Sequence, residues 1–92
     1  MIRSFAEKQT RALFETGMSR RWNSIARVAV RKLVQIDSVT TLDELNVPPG
    51  NRLEKLAGER EGQWSIRIND QWRICFNWQD GHAYDVEIVD YH

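Results

Sequence analysis

Gln63-Trp64-Ser65-Ile66-Arg67-Ile68-Asn69-Asp70-Gln71-Trp72-Arg73-Ile74-Cys75-Phe76-Asn77-Trp78-Gln79-Asp80-Gly81-His82-Ala83-Tyr84-Asp85-Val86-Glu87-Ile88-Val89 decides the fold of this chain. Large apolar residues fall at every second position: Trp64, Ile66 and Ile68, then Trp72, Ile74, Phe76 and Trp78, then Tyr84, Val86 and Ile88. Side chains on a strand alternate between its two faces, so period two means strands buried on one side only, as in antiparallel sheets. Asp80-Gly81 is a hairpin signal between the second and third runs. Three antiparallel strands follow, with one apolar face turned toward a core.

Residues opposed across a ladder must share a face, which fixes the turns. A two-residue Asp80-Gly81 loop would oppose Phe76 to Asp85 and Ile74 to Glu87, bringing acids into the core. A three-residue loop, Gln79-Asp80-Gly81 with Gly81 left-handed, pairs Trp78 with His82, Phe76 with Tyr84, Ile74 with Val86 and Trp72 with Ile88. By the same rule Asn69-Asp70-Gln71 is the preceding turn, pairing Ile68 with Trp72, Ile66 with Ile74 and Trp64 with Phe76. Arg67 then opposes Arg73, and Arg73 opposes Glu87, all on the face away from the core.

Upstream, Val47-Pro48-Pro49-Gly50-Asn51 divides this strand half from a helical half, since two prolines and a glycine suit neither helix nor central strand. Residues 7–16 are expected as a helix with Ala12, Leu13 and Phe14 inward and Gly17 as its stop. From 23 to 37, Ile25, Val28, Ala29, Leu33 and Ile36 keep helical spacing, with Asn23 or Ser24 as cap and Arg27, Arg31 and Lys32 on other faces. Thr41-Leu42-Asp43-Glu44 has capping-box spacing and predicts one helical turn. Residues 2–5 suit an edge strand, and Gly17-Met18-Ser19 predicts an extended or mobile stretch over 17–23. The expected class is α+β in two layers, with N-terminal helices packed on one face of a twisted antiparallel sheet.

At 92 residues and 10.8 kDa there is room for one domain, expected over 1–92. A composition of 41% hydrophobic residues, including four tryptophans, is that of a folded core and not of a disordered chain. No apolar run approaches the roughly 18 residues of a membrane span, and the opening lacks a secretory signal, so the expectation is a soluble cytoplasmic protein without membrane contact. The lone Cys75 forms no internal disulfide, and with two histidines it makes no tetrahedral metal site, so neither metal nor other cofactor is expected. Net charge is zero, yet residues 1–36 carry +6 and residues 37–92 carry −6. Such segregation suits a polyanion or acidic partner on one surface, although solvated helix faces give the same pattern.

The outer sheet face holds the candidate chemistry. In the derived register it presents Arg67, Arg73 and Glu87, with Tyr91 on the same face if the last strand keeps phase. Asp90 and His92 start on the other face and reach it only if the tail bends. Arg52, Lys55 and Arg60 arrive from the preceding segment. Guanidiniums suit phosphate because they bind it bidentately and remain charged. A solvated face with a structural Arg73–Glu87 pair would satisfy the same pattern, so longer strings are needed.

Leu56-Ala57-Gly58-Glu59-Arg60-Glu61-Gly62-Gln63-Trp64-Ser65-Ile66, Trp72-Arg73-Ile74-Cys75-Phe76 and the terminal Asp90-Tyr91-His92 together resemble the HigB family of bacterial toxins, within the RelE/ParE superfamily. The likeness extends over the whole chain, including Ile2-Arg3-Ser4-Phe5 and the Pro-Pro-Gly-Asn-Arg-Leu run at 48–53, and looks closest to GraT-like members. The resemblance implies a RelE-like toxin fold, a type II toxin–antitoxin system and a metal-independent endoribonuclease that cleaves mRNA on the translating ribosome. It also implies a HigA-type helix-turn-helix antitoxin, with operator DNA reached only through that antitoxin. The chemistry would be attack of a ribose 2′-OH on the adjacent phosphodiester, needing a base, cations for the phosphate and an acid for the leaving oxygen.

By position the resemblance makes Arg73 the phosphate clamp and Asp90, Tyr91 and His92 the acid/base or substrate-orienting cluster. Where relatives place a histidine and a lysine, this chain has Glu54 and Ala57. Glu54 is then the candidate base, and Arg52, Lys55, Arg60 and Arg67 the phosphate-binding cations, with weakened cleavage expected. Two alternatives stay open: a ParE-like toxin acting on DNA gyrase, and a non-catalytic module binding RNA or protein. Trp64, Trp72 and Trp78 are expected in the core. Cys75 is expected to face outward without nucleophilic function, and His82 to be structural or exposed. Trp22, beside Arg20 and Arg21, either caps the core or marks a basic aromatic RNA contact.

Overall fold

The computed structural model describes residues 1–91. Helices α1 (Lys8–Thr16) and α2 (Ala26–Ser38) pack on a four-stranded antiparallel sheet, β1 (Glu54–Lys55), β2 (Trp64–Arg67), β3 (Trp72–Gln79) and β4 (His82–Asp90), in the order β1-β2-β3-β4. Short 3-10 turns at Leu42–Asn46 and Pro49–Asn51 connect the two halves, and a third at Gly58–Arg60 lies between β1 and β2. The two-layer α+β arrangement is the one expected, with β1 as an added strand that the sequence pattern did not reveal.

Local chemistry sets the helix ends. The Glu7 carboxylate accepts from the Gln9 and Thr10 amides at 3.1 and 2.7 Å, and Gly17, at φ 74°, closes α1 with its N–H on the Leu13 carbonyl. Leu13 is fully buried, but Ala12, expected inward, is exposed. Helix α2 starts at Ala26 with Ile25 at its cap, and neither Asn23 nor Ser24 caps it. The reason lies one turn earlier. Trp22 is drawn into the core at 1% exposure, its amide bonded to Ser19 Oγ at 3.0 Å, so residues 21–25 form turns where an extended or mobile stretch was expected as far as 23 and helix beyond it. Its indole meets Trp72 edge-on at 6.3 Å, which settles Trp22 as a core residue. Lys32, expected on an outer face, is instead buried and donates from Nζ to Asn51 Oδ1. The turn at Leu42–Asn46 carries the expected Thr41–Glu44 capping box.

The β2–β3 register is as derived, Trp64 opposing Phe76, Ile66 opposing Ile74 and Arg67 opposing Arg73. The β3–β4 hairpin differs. Its loop has two residues, Asp80 and Gly81, both at positive φ (52° and 81°), and Gln79 pairs with His82. The acids stay out of the core because a bulge at Asp85, φ 52°, removes one residue from the ladder. Beyond it Ile74 opposes Ile88 and Cys75 opposes Glu87, while before it Tyr84 opposes Asn77 on the outer face. The argument for three residues assumed an uninterrupted ladder. Ser4 Oγ accepts the Asp85 amide at 2.9 Å, and residues 2–5 run parallel along β4, bridging Ile2 to Ala83 and Phe5 to Val86.

Leu13, Trp22, Ala29, Leu33, Ile36, Leu45, Ile66, Ile74, Phe76 and Val86 fill the space between helices and sheet, with Trp64, Trp72 and Trp78 half-buried against them. None of the described helices is long and apolar enough to cross a membrane.

Candidate active site

Arg73 organises the outer face. It lies at mid-sheet on β3, and the 52–63 segment folds across it, leaving it 7% exposed. Its Nε donates to Ser65 Oγ at 2.8 Å and its Nη2 to the Arg52 carbonyl at 2.6 Å. Arg52 is the left-handed residue (φ 45°) that closes the Pro49–Asn51 turn, and this aims its carbonyl at the guanidinium. Two residues later β1 begins, and Glu54 opposes Ser65. Glu54 Oε1 thereby stands 3.9 Å from Arg73 Nη2 and accepts the Tyr91 hydroxyl at 3.1 Å.

Tyr91 comes to this face by the alternation of Glu87 and Val89 before it, and its amide is held on the Gln71 carbonyl at 2.6 Å. Its ring centroid is 5.3 Å from the Arg73 guanidinium carbon. The hydrogen bond to Glu54, followed by that carboxylate's charge, raises the Tyr91 pKa above 10.0, so the phenol keeps its proton at neutral pH. Beside it opens a cleft lined by Leu56, Ala57, Glu59, Arg60 and Tyr91.

The other expected site residues divide. Arg67 does face Arg73, and the repulsion of that pair is relieved because Arg67 Nη2 turns to Asp70 Oδ1. Glu87 does not pair with Arg73; the bulge moves it opposite Cys75, and it binds Arg60 Nη2 at 2.7 Å. That bond raises the Arg60 pKa further, and Arg60 Nη1 also donates to Gln63 Oε1 at 3.1 Å. Lys55 opposes Trp64 on the core-side face, its ammonium 5.9 Å from that ring, so the pleat carries it away from Arg73. Asp90 opposes Trp72 and accepts from Gln71 Nε2 at 3.1 Å, off the Arg73 face. His92 lies outside the described residues.

Cys75 is on the outer side of β3, as expected, but the overlying segment buries it completely, and burial raises its thiol pKa. His82 is half-buried, with Nε2 3.3 Å from Arg3 Nη2. Ser65 and the Arg52 carbonyl were missed by the sequence argument. Ser65 was on the right face and diagonal to Arg73 in the derived register, whereas a carbonyl aimed by one left-handed residue leaves no pattern. Among the described residues no three His, Cys, Asp or Glu side chains gather as metal ligands would.

A buried arginine with a carboxylate and a protonated phenol at its rim is equipped to receive a phosphate and exchange protons beside it. The family model of the RelE-like HigB toxin of type II toxin–antitoxin systems matches residues 3–92. The chain belongs to this family. Toxin HigB-1 of Vibrio cholerae is 38% identical over 85 residues, 90% of each chain, and Endoribonuclease HigB of Proteus vulgaris is 39% identical over the full length of both. Among solved structures, a mutant of YafQ from E. coli superposes on the toxin with a TM-score of 0.67 at 10% identity, covering 98% of this chain and 93% of the other. YoeB in its complex with YefM from Staphylococcus aureus gives 0.57 at 18% identity, covering 100% and 98%. At such low identity these two likenesses carry the fold, which is RelE-like.

Proposed function

We propose that this HigB-family toxin is a metal-independent endoribonuclease that cuts mRNA on the translating ribosome and so arrests translation and growth. The observation that carries the reading is the Arg73–Glu54–Tyr91 cluster, a desolvated guanidinium anchored from behind with a proton acceptor and a proton donor at its open side. Arg73 Nη1 has no acceptor among the described residues, and it receives the scissile phosphate. The Glu54 carboxylate takes the 2′-OH proton as the 2′-oxygen bonds to phosphorus. The P–O5′ bond breaks, and the Tyr91 phenol protonates the departing oxygen. The products are a 2′,3′-cyclic phosphate and a 5′-OH. Glu54 then returns its proton to Tyr91 along their 3.1 Å hydrogen bond.

The side chains of Arg52, Arg60 and Arg67 attract the flanking phosphates, and His92 orients the substrate. Lys55 and Asp90, which the strands carry to the opposite face, take no part. The toxin acts in the cytoplasm and is neutralised by a HigA-type helix-turn-helix antitoxin, through which alone it meets operator DNA. That the P. vulgaris relative at 39% identity is named an endoribonuclease supports the reading. The test adds purified toxin to a reconstituted translation reaction and maps new 5′ ends, with ribosome-free and Arg73→Ala controls. Cuts that need the ribosome and fall by at least roughly 10²-fold, to a measurable residual rate, with Arg73→Ala are expected. No cuts, at a concentration that still arrests growth, would overturn the reading in favour of gyrase or another protein target.

A further inference from the structure

Lys32 and Asn51 are polar and buried, and neither contacts Arg73, Glu54 or Tyr91 directly among the described residues. Lys32 projects from α2 at 8% exposure, and Asn51 is completely buried in the turn after the two prolines. Lys32 Nζ donates to Asn51 Oδ1, and the Asn51 amide donates to the Leu45 carbonyl at 3.1 Å, Gln35 Oε1 at 3.0 Å and the Val47 carbonyl at 3.4 Å. A buried side chain with this many partners has one allowed position. An apolar residue would pack this turn at lower desolvation cost, and burial indeed lowers the Lys32 pKa. Packing alone therefore does not account for a lysine here.

The next residue, Arg52, sits at φ 45°, a left-handed conformation that a residue other than glycine keeps only where its neighbours hold it. Its carbonyl is the 2.6 Å partner of Arg73 Nη2, and two residues on stands Glu54. We propose that the buried Lys32–Asn51 pair positions the catalytic arginine: it clamps the 49–52 turn to α2 and thereby fixes the Arg52 carbonyl and Glu54 against Arg73. The proposal rests on the reading of Arg73 as the phosphate clamp. Lys32 and Asn51 touch no substrate and act through the backbone they immobilise.

Two readouts separate a positioning role from a merely structural one. In single-turnover cleavage, Lys32→Met is expected to slow the reaction roughly 10- to 100-fold while binding of a 2′-O-methylated, uncleavable mRNA to the toxin–ribosome complex changes less than about threefold. The same substitution in an Arg73→Ala background is expected to cost less than about twofold more, because its effect runs through Arg73. Equal losses in both backgrounds, or none in the wild type, would overturn the proposal.

The second readout needs no activity, so it stands if the ribonuclease reading fails. The Arg73 Nε–H NMR signal should exchange faster with water in Lys32→Met, while the Ile66 and Ile74 amides of the central strands keep their protection. Arg73 exchange unchanged, or all three signals accelerated together, refutes the positioning role. If Lys32→Met does not fold, Asn51→Asp, which keeps the acceptor for Lys32 but loses the amide donations, is held to the same outcomes.

Discussion

Replacing Arg73 by lysine keeps the charge and removes the geometry. In the wild type, Nε and Nη2 are committed to Ser65 Oγ and the Arg52 carbonyl, and on the proposed function Nη1, which has no acceptor among the described residues, is the nitrogen left for a phosphate. Lysine brings one nitrogen, which can serve the anchors or the phosphate but not both. If it binds the anchors, the growing phosphate charge loses a preorganised donor, worth about 2.7–4 kcal/mol or roughly 10²- to 10³-fold in rate. If it reaches for phosphate, at least one charged hydrogen bond at a site only 7% exposed is lost, about 1.5–3 kcal/mol of stability. For a domain of this size that lowers the melting temperature by roughly 6–24 °C. Arg73→Lys is therefore expected to cut slowly and melt early, the balance reporting where its nitrogen sits. Single-turnover cleavage of a defined mRNA with ribosomes, beside a thermal melt by circular dichroism, measures both. Cleavage within about threefold of wild type together with an unshifted melt would refute the claim that three nitrogens are needed.

Two further outcomes follow from single contacts. Glu54→Gln removes the charge that holds the Tyr91 proton, so in a Tyr84→Phe background the phenolate absorbance should appear at lower pH, nearer the ordinary value of 10.0; an unchanged or higher midpoint contradicts the Glu54–Tyr91 bond. Gly17→Ala and Gly81→Ala both force alanine to positive φ (74° and 81°), but only at Gly81 would the new Cβ meet a backbone atom, the Thr40 carbonyl at 3.2 Å. In urea unfolding, Gly17→Ala should lose about 1–2 kcal/mol and Gly81→Ala more, and equal losses would contradict that close approach.

Much of the fold was legible because burial writes itself into alternation. Trp64, Ile66 and Ile74 gave the β2–β3 register, and with it Arg67 beside Arg73, since a one-residue slip would turn every one of these residues to water. The β3–β4 pairing was misjudged for the opposite reason. A bulge spends one residue without altering the alternation on either side, and Asp85 is an ordinary polar residue until its φ is known. The helix α2 boundary slipped because Trp22, read from its place beside Arg20 and Arg21, had two fates open, and tertiary packing chose the core. At the site, Glu54 and Tyr91 were reached through a family likeness and strand phase, and the structure brings both to Arg73. Lys55, one residue from Glu54, was misassigned because no strand was foreseen there, and in a strand adjacent residues point oppositely. Ser65 was recoverable from the register; the Arg52 carbonyl was not, since main-chain atoms carry no sequence signature.

The two borders of the sheet are guarded by different means. On one side β1 is only two residues long and carries Glu54 and Lys55, too short and too charged to serve as a template for a foreign strand. On the other, the first residues of the chain lie along β4, with the Arg3 and Ala6 amides on the Ala83 and Val86 carbonyls at 2.7 and 3.0 Å, and the Ala83 and Val86 amides on Met1 and Ser4. Among the described residues the ladder thus offers no long open rim. A protein that would grip this toxin by extending its sheet must first peel away residues 1–6 or displace β1, and displacing β1 takes Glu54 with it. Partners that leave the fold whole are confined to its faces, and a protease that trims the first six residues would bare a strand apt to pair with the next copy it meets.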